Sequence, residues 1–382
     1  MVLVVPTYLA AKPLDIEIQA RSAVLMNAAT GAILFEKQPF LPVSPASTTK
    51  IATALYVIEH EQNLGRMVTV SAECLKHKPS QDRERFPAHW LESDGTMLGI
   101  KRGEMVTLET LLYGMMLVSG NDAANVAAEV MGGSVPQFME LLNEYLQGMG
   151  CQNTHFANPH GLTHSAHYCS AYDMALITQR ALRNHTFRQI VSTLKYTKPK
   201  SNKQAAREIL HTNPLLKAKS RHYYPKAIGV KSGYTAAAQR TLVAAAEHEG
   251  RTLIAVVFGT QTSDERFQDA KKLFDAAFAQ KKERRRLIGS DYTFIKEIDG
   301  SKLPLRANLA KALCIEYFPA EESECKAILH WQVEGLPIHK GQKVGEVEIV
   351  DLKGTLLQKG DLCASCDVKG NIFWRVKEWL TR

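Results

Sequence analysis

Two residues near the start of an apolar helical pattern have the types and spacing of an acyl-transfer centre. Ser47 and Lys50 lie three positions apart in the segment Ser47-Thr-Thr-Lys50, and residues three apart share one face of a helix. The Lys50 amine would lie one turn from the Ser47 hydroxyl, where a lysine of depressed pKa can act as the base that serine needs. The positive field of the helix start would stabilise negative charge there. The same pattern also fits a polar helix start with a solvated lysine.

A second pair of polar residues follows the apolar run 111–118. Ser119 and Asn121 lie two positions apart in Ser119-Gly-Asn121. In a loop, a hydroxyl and an amide at this spacing can relay a proton and hold a substrate carbonyl. The alternative is that Ser119 or Asn121 caps a helix that begins near Asp122, because both residue types favour the N-cap.

A third motif, Lys231-Ser-Gly233, ends a strand-like apolar run. Lys231 and Ser232 can bind a carboxylate. Gly233 has no Cβ, and therefore allows a substrate backbone to approach and pair with the edge of the strand. Each of the three motifs is weak evidence by itself, and their order along the chain carries the interpretation.

The elements that would position these motifs follow from hydrophobic periodicity and turn residues. A β-hairpin is predicted over 22–28 and 31–36, and a helix begins near Pro45. Further helices are predicted over 108–118, 122–131, 135–148, 170–184 and 263–280, and strands over 227–232, 241–246 and 252–258. Strands at both ends of a helical middle predict one sheet, built from distant parts of the chain and packed against helices. Residues 281–286 are a basic run that we interpret as a solvated boundary before a small all-β domain.

The three motifs occur in the order S-x-x-K, S-x-N and K-[ST]-G, which is the ordered set of penicillin-binding proteins and class A β-lactamases. The chain resembles the low-molecular-mass penicillin-binding proteins of the serine-type D-alanyl-D-alanine carboxypeptidase family. The resemblance is carried by residues 45–54, 119–124, 158–162, 167–175 and 229–235, and more weakly by 335–345. It implies an α+β, penicillin-binding/β-lactamase-like transpeptidase fold, an antiparallel sheet with a helical subdomain, plus a small all-β C-terminal domain. The implied limits are 1–20 for a signal-peptide remnant or tail, 21–281 for the catalytic D,D-peptidase domain and 288–382 for the β-rich domain.

The resemblance also implies residue roles. Ser47 would attack the D-Ala–D-Ala carbonyl, Lys50 would take its proton, and Ser119 would pass a proton to the leaving D-alanine. The implied substrate-binding residues are Asn121 for the peptide, Lys231 and Ser232 for the terminal carboxylate, Gly233 for close approach, and Tyr234, whose backbone N–H would form an oxyanion hole with that of Ser47. Ser232 stands where these carboxypeptidases usually have threonine, and because the hydroxyl survives we expect only altered affinity. The implied enzyme uses no metal and no cofactor.

The expected activity is removal of the terminal D-alanine from peptidoglycan stem pentapeptides, with β-lactams as covalent inhibitors. A D,D-endopeptidase that cleaves cross-links, a β-lactamase and a non-catalytic envelope scaffold are the alternatives. Glu140-Leu-Leu-Asn143 faintly resembles the deacylating segment of class A β-lactamases, but its spacing is one residue short, and a core helix is the better interpretation. The segment 76–99 is long and charged for its position, so we expect it to reshape the cleft.

Composition narrows the classes of partner and the location. The formal net charge is +8, but outside 281–286 the basic residues are scattered, and no aromatic-interleaved basic stripe is present. We therefore expect no nucleic-acid partner. The seven cysteines, including Cys363 and Cys366, have no second ligand pair nearby, which favours structural cysteines over a zinc site. The resemblance implies an exported protein of the cell envelope, periplasmic or on the outer face of the cytoplasmic membrane. Peripheral membrane association through aromatic and basic residues of 370–382 is an alternative to a last strand there.

Overall fold

The computed structural model describes residues 6–7, 11–79, 85–321, 324–372 and 374. The chain forms two compact units, Pro13–Ala279 and a second unit made of Met1–Lys12 with Gln280–Arg382. Within the described part of the chain, no helix has the length and apolar character needed to cross a membrane. The first unit contains all three motifs.

The first strand of the chain, β1 Pro6–Thr7, belongs to the second unit. The strands of the first unit are β2 Ser22–Asn27, β3 Ile33–Lys37, β4 Met67–Thr69, β5 Met105–Thr107, β6 Lys195–Lys198, β7 Arg207–Leu210, β8 Ala227–Thr235, β9 Gln239–His248 and β10 Arg251–Thr260. Its α-helices are α1 Lys50–His60, α2 Leu108–Leu117, α3 Asn121–Gly132, α4 Val135–Gly148, α5 Ala171–Leu182, α6 His185–Ser192 and α7 Ser263–Ala279. The predicted helices and strands of this unit are all present, with ends that differ by a few residues.

The main sheet of the first unit is antiparallel and has the order β3-β2-β10-β9-β8. The middle of β9 and of β10 is a continuous buried apolar run, as expected for strands covered on both faces. The helices α5 and α7 pack against β10, and α6 packs against β8. Because β8 comes late in the chain and β2 early, the sheet joins distant segments, as the sequence predicts.

The helical part of the unit packs around α1. Every residue from Lys50 to Ile58 is buried, which is the pattern of a helix surrounded by protein on all sides. Side chains cap four of the helices that pack near it. Thr107 accepts a hydrogen bond from the Thr110 N–H at the start of α2, and Ser134, Ser170 and Asn184 do the same for α4, α5 and α6.

The second unit is a β domain, as predicted for the C-terminal part of the chain. Its remaining strands are β11 Glu283–Ile288, β12 Thr293–Lys296, β13 Leu305–Leu309, β14 Leu313–Tyr317, β15 Cys325–Trp331, β16 Lys343–Asp351 and β17 Leu356–Ala364. Six strands form one antiparallel sheet in the order β1-β15-β16-β17-β13-β12, and β11 pairs with β14. Alternate residues such as Leu305, Ala307 and Leu309 point into its core.

The structure adds a strand to the basic run that the sequence predicts as a solvated boundary. Residues 281–286 are mostly exposed, and they lie at the limit between the two units, at Ala279 and Gln280. The segment Glu283–Ile288 also forms the strand β11. A strand is held by backbone hydrogen bonds, which do not depend on side-chain charge, and Arg285 lies over the Tyr317 ring of the paired strand at 5.2 Å.

Residues 1–20, where a signal-peptide remnant or N-terminal tail is predicted, divide between the two units. Pro6 and Thr7 pair with Lys326 and Cys325 of the second unit, whereas residues from Pro13 onward belong to the first. Ala20 is fully buried there, and its N–H donates to the Asp269 carboxylate at 2.8 Å. Residues 1–5, 8–10, 373 and 375–382 lie outside the described part, and so does most of the proposed C-terminal interfacial segment.

Candidate active site

Ser47 lies in a 3-10 helix, Ala46–Thr49, that leads directly into α1. The Thr48 hydroxyl donates to the Pro45 carbonyl at 2.8 Å, and the Thr49 hydroxyl donates to the Ala46 carbonyl at 2.9 Å. These local side-chain bonds hold the entering chain, and the Thr241 hydroxyl of β9 also donates to the Pro45 carbonyl, at 3.0 Å. Ser47 is half-buried and faces a cleft.

The Lys50 amine lies 3.1 Å from the Ser47 hydroxyl oxygen, as the three-residue spacing predicts. Its Nζ also donates to the Asn121 side-chain oxygen at 2.6 Å and to the His160 carbonyl at 2.7 Å. The whole residue is buried. The solvated lysine considered for this motif is therefore wrong, because all three neighbours of Nζ are protein groups.

The second motif connects α2 to α3. Ser119 has a φ of 65°, and Gly120 is the N-cap of α3 with no side-chain capping bond. The alternative that Ser119 or Asn121 caps the helix is therefore wrong, because the Asn121 side chain is directed to Lys50. The connection is fixed by Thr96, whose hydroxyl donates to the Ser119 carbonyl and whose carbonyl accepts from the Asn121 N–H.

The third motif lies on β8, which is the edge strand of the main sheet. Lys231 is buried, and its amine donates to the Ser232 carbonyl at 2.8 Å. A Cβ at Gly233 would lie 2.7 Å from the Ser47 backbone nitrogen and 2.6 Å from the Thr241 hydroxyl. Only glycine allows β8 to pass this close to Ser47, so Gly233 brings the strand edge and the 3-10 helix together.

Arg266, at the start of α7, is a site residue that the sequence analysis missed. It is 8% exposed, lines the cleft, and its Nη1 donates to the Gly233 carbonyl at 2.8 Å and to the Thr241 carbonyl at 3.2 Å. It thus adds a second cation beside Lys231. The sequence shows only an arginine in the first turn of an amphipathic helix, and nothing local indicates that this helix reaches β8.

Buried cations dominate the electrostatics of the site. Burial lowers the pKa of Lys50 well below its usual value, the positive charge of Lys231 lowers it further, and Asp122 opposes both. Burial and the charge of Arg266 lower the pKa of Lys231 to about 7. These shifts favour the neutral amine of Lys50. An anion bound beside Lys231 would favour the charged form of Lys231.

The loop that supplies the His160 carbonyl is built around Asn158, whose side-chain oxygen accepts from the Gly161 N–H at 2.7 Å. Gly161 has a φ of 96°, and a Cβ there would overlap the Ala46 carbonyl. The His160 ring accepts from the Leu162 N–H and contacts the His89 carbonyl at 3.1 Å. Burial lowers the pKa of His160 well below its usual value. The imidazole is therefore a neutral anchor of the loop, and the backbone of His160 contacts Lys50.

A cleft of about 800 Å³ is lined by Ser47, by residues of the second and third motifs and by Arg266, and Lys50 is buried beneath Ser47. The residues 92 and 94–96 form part of its wall, so the long segment 76–99 does shape the cleft, although residues 80–84 of it lie outside the described part. Glu140 lies on α4 and does not line this cleft. Asn143 exchanges hydrogen bonds with the backbone of Phe156, which agrees with the structural interpretation of this segment.

A serine beside a buried lysine of lowered pKa, next to a strand edge with Lys231 and Arg266, is the arrangement expected of a serine acyl-transfer site of the penicillin-recognising class. A family model described as D-alanyl-D-alanine carboxypeptidase matches residues 7–262. The D-alanyl-D-alanine carboxypeptidase DacF of Bacillus subtilis (strain 168) is 32% identical over 92% of this chain and 86% of that protein. The chain belongs to the D-alanyl-D-alanine carboxypeptidase family.

Solved structures agree with this assignment. Penicillin binding protein 5 from Haemophilus influenzae superposes with a TM-score of 0.63 and 28% identity, covering 94% of this chain and all of that one. The Streptomyces K15 DD-transpeptidase superposes with a TM-score of 0.60 and 31% identity, covering 70% of this chain and 99% of that one. The predicted α+β, penicillin-binding fold with its C-terminal β domain is thereby confirmed.

Proposed function

We propose that this protein is a serine D,D-carboxypeptidase that removes the terminal D-alanine from peptidoglycan stem pentapeptides through an acyl-enzyme on Ser47. One observation carries the proposal: the buried Lys50 amine lies within hydrogen-bond distance of Ser47, Asn121 and the His160 carbonyl. The names of the family and of the B. subtilis relative, both D-alanyl-D-alanine carboxypeptidase, support a substrate that ends in D-Ala–D-Ala.

The hydrogen bonds of Lys50 explain how it acts as the base. A neutral amine has two N–H bonds and one lone pair. The Asn121 side-chain oxygen and the His160 carbonyl are both acceptors and take the two N–H bonds. The lone pair is left facing the Ser47 hydroxyl at 3.1 Å. As Ser47 Oγ bonds to the carbonyl carbon of the peptide, its proton passes to Lys50 Nζ.

The edge of β8 binds the substrate. The D-alanine carboxylate lies beside Lys231, Ser232 and Arg266, where a buried positive field favours an anion. The backbone N–H groups of Ser47 and Tyr234 stabilise the oxygen that becomes negative in the tetrahedral intermediate. Gly233 keeps this approach open, because a side chain there would contact Ser47.

Collapse of the intermediate breaks the C–N bond of the D-Ala–D-Ala peptide. The leaving amine takes up the proton that Lys50 accepted, relayed by the Ser119 hydroxyl, and the acyl group remains as an ester of Ser47. Water then attacks the ester carbonyl, loses its proton through Lys50 and restores the free Ser47 hydroxyl. β-Lactams acylate Ser47 by the same first step, with ring opening in place of D-alanine release. No step needs a metal or a cofactor.

We further propose that the protein acts in the cell envelope, outside the cytoplasmic membrane, because its substrate lies there. Peripheral association with the membrane is part of the same proposal. The names of the relatives, a D-alanyl-D-alanine carboxypeptidase and a penicillin binding protein, support this location. The charge of the chain is compatible with an anionic surface.

D-alanine release tests the proposal. The full chain and its Ser47→Ala variant are incubated with a monomeric stem pentapeptide and, separately, with a cross-linked peptide dimer. We expect D-alanine from the monomer with the unmodified protein alone. Resolution of the dimer without D-alanine release would overturn carboxypeptidase activity in favour of a D,D-endopeptidase, and release by Ser47→Ala would overturn the nucleophile.

A further inference from the structure

The cleft is lined by side chains of both charges. Lys231 lies on β8 and Arg266 contacts the Gly233 carbonyl of that strand, whereas Glu92 and Asp94 lie on the wall formed by the segment 92–96. The carboxylates have no part in the acyl-transfer steps described above. A substrate whose carboxylate lies at β8 therefore shares the cleft with negative charge from a second segment.

The acidic wall lies close to the reacting groups. A Cβ built on Gly95 would lie 2.8 Å from the Asn121 side-chain nitrogen, and the Asn121 side-chain oxygen is 2.6 Å from the Lys50 amine. The Asn121 N–H donates to the Thr96 carbonyl at 2.8 Å. Gly95 therefore lies against the Asn121 side chain, and Asp94 is the residue before Gly95.

The wall is held in place by a buried carboxylate of α3. The Asp122 oxygens accept from the backbone N–H groups of Leu98, Gly99 and Ile100, at 2.7, 2.7 and 3.1 Å. Three such bonds fix the end of the segment against the helix that begins with Asn121. Asp94 thus projects from a segment whose following residues are fixed.

The two carboxylates of the wall have different surroundings. Glu92 is half-buried and lies 4.0 Å from the buried Lys78 amine. Asp94 is exposed, and among the described residues no cationic side chain comes within ion-pair distance of it. Asp94 is therefore the carboxylate that can take a cation from a ligand.

We infer that Asp94 is a specificity-determining residue that favours stem peptides with a free ammonium group on the side chain of the residue before D-Ala–D-Ala, the diamino acid used for cross-linking. The inference rests on the proposed function. With the scissile carbonyl at Ser47, that residue lies about 3.5 Å further along an extended chain, and a four-carbon side chain adds about 6 Å. The wall begins beside Asn121, which shares the Lys50 amine with Ser47, so a side chain of this length can extend from Ser47 toward it. An un-cross-linked strand is the one whose amine is still free.

The preference is measured with two tripeptides that differ only at the amine, Nα-acetyl-L-Lys-D-Ala-D-Ala and Nα,Nε-diacetyl-L-Lys-D-Ala-D-Ala. An exposed ion pair contributes little and is screened by salt. We therefore expect kcat/KM to favour the free amine about threefold at low ionic strength, mainly through KM, and the ratio to fall toward one at 0.5 M salt. Asp94→Asn should bring the ratio to about one, and Asp94→Glu should keep most of it.

Asp299→Asn, which removes an exposed carboxylate of the second unit, is the matched control and should leave the ratio as in the unmodified protein. A threefold preference that survives in Asp94→Asn, or no preference in the unmodified protein, overturns the assignment. Failure of the proposed function would look different, because neither tripeptide would then release D-alanine.

Discussion

Four described lysines of the first unit are buried. Lys78 lies beside Glu92, and the partners of the other three divide them into two kinds. Lys198, at the end of β6, forms an ion pair with the fully buried Glu104 at 2.7 Å. Lys231 lines the cleft and Lys50 lies beside Ser47 of the cleft, and the hydrogen bonds that their amines donate go to uncharged oxygens. A buried carboxylate favours a charged lysine, whereas burial among neutral groups and other cations favours a neutral one.

Lys198 is a structural lysine, whereas Lys50 and Lys231 belong to the active site. Burial alone would raise the pKa of Glu104, but hydrogen bonds from Lys198, Ser201 and Gln204 hold it at about 2. This network ties the segment before β5 to the turn of the β6–β7 hairpin. At the active site, by contrast, burial and then the positive charge of Lys231 lower the pKa of Lys50, and the cations Lys231 and Arg266 provide a place for an anion.

The largest expected effect is the loss of acylation in Lys50→Met. Methionine fills a similar volume without an amine, so the fold is retained while Ser47 loses its base. We expect the rate of acylation by benzylpenicillin to fall at least 10³-fold, measured by stopped-flow competition with a fluorescent penicillin. Far-UV circular dichroism checks the fold. An acylation rate within tenfold of the unmodified protein would contradict the base assignment.

Lys198→Met should have the reverse profile. It leaves Glu104 as a buried carboxylate without its cation, which typically costs about 3–5 kcal/mol, so the urea midpoint should fall strongly. The acylation rate of the folded protein should stay within about twofold of the unmodified one, because Lys198 does not line the cleft. Unchanged stability in urea would show that the buried pair has little structural role.

Acid stability gives a third measure of the same contrast. Because the pKa of Glu104 in the folded protein is depressed to about 2, below its usual 4.5, this carboxylate stabilises the fold above pH 4.5. That contribution is lost as the pH falls from about 4.5 toward 2. Glu104→Gln should therefore flatten the decline of unfolding free energy in this window. A decline of the same slope in Glu104→Gln would assign it to other carboxylates.

The smallest effect is expected for Ser232→Thr, which adds one methyl group and keeps the hydroxyl beside Lys231. Ser232 is half-buried on the edge strand, so the cleft can accept the extra volume. We expect kcat/KM for D-alanine release to change by less than about threefold, mainly through KM. Ser232→Ala serves as the control without a hydroxyl. A tenfold change with threonine would mean that the cleft is shaped specifically for serine.

Local features of the site could be predicted from the sequence. The contact between Ser47 and Lys50 depends only on helical spacing, and it is present at 3.1 Å. The elements of the main sheet follow from apolar runs such as 252–258. Composition and spacing alone do not predict the fold. The order of the three motifs predicts it, through the family that they resemble.

The features that escaped prediction depend on tertiary contacts or on the backbone. Arg266 reaches Gly233 only because α7 packs against β9 and β10. The His160 contact to Lys50 uses a carbonyl, which every residue has, so no side-chain pattern indicates it. The strand β11 was missed because its charged residues suggested solvent, whereas strand pairing depends on backbone groups.

The most direct test of the account is intact-mass spectrometry after brief exposure to benzylpenicillin, with Ser47→Ala in parallel. The account predicts that the unmodified protein gains the mass of one benzylpenicillin molecule and that Ser47→Ala gains none. Peptide mapping should place the adduct on Ser47. A folded, unmodified protein that gains no mass, or an adduct that persists in Ser47→Ala, would contradict the assignment of Ser47 as the nucleophile.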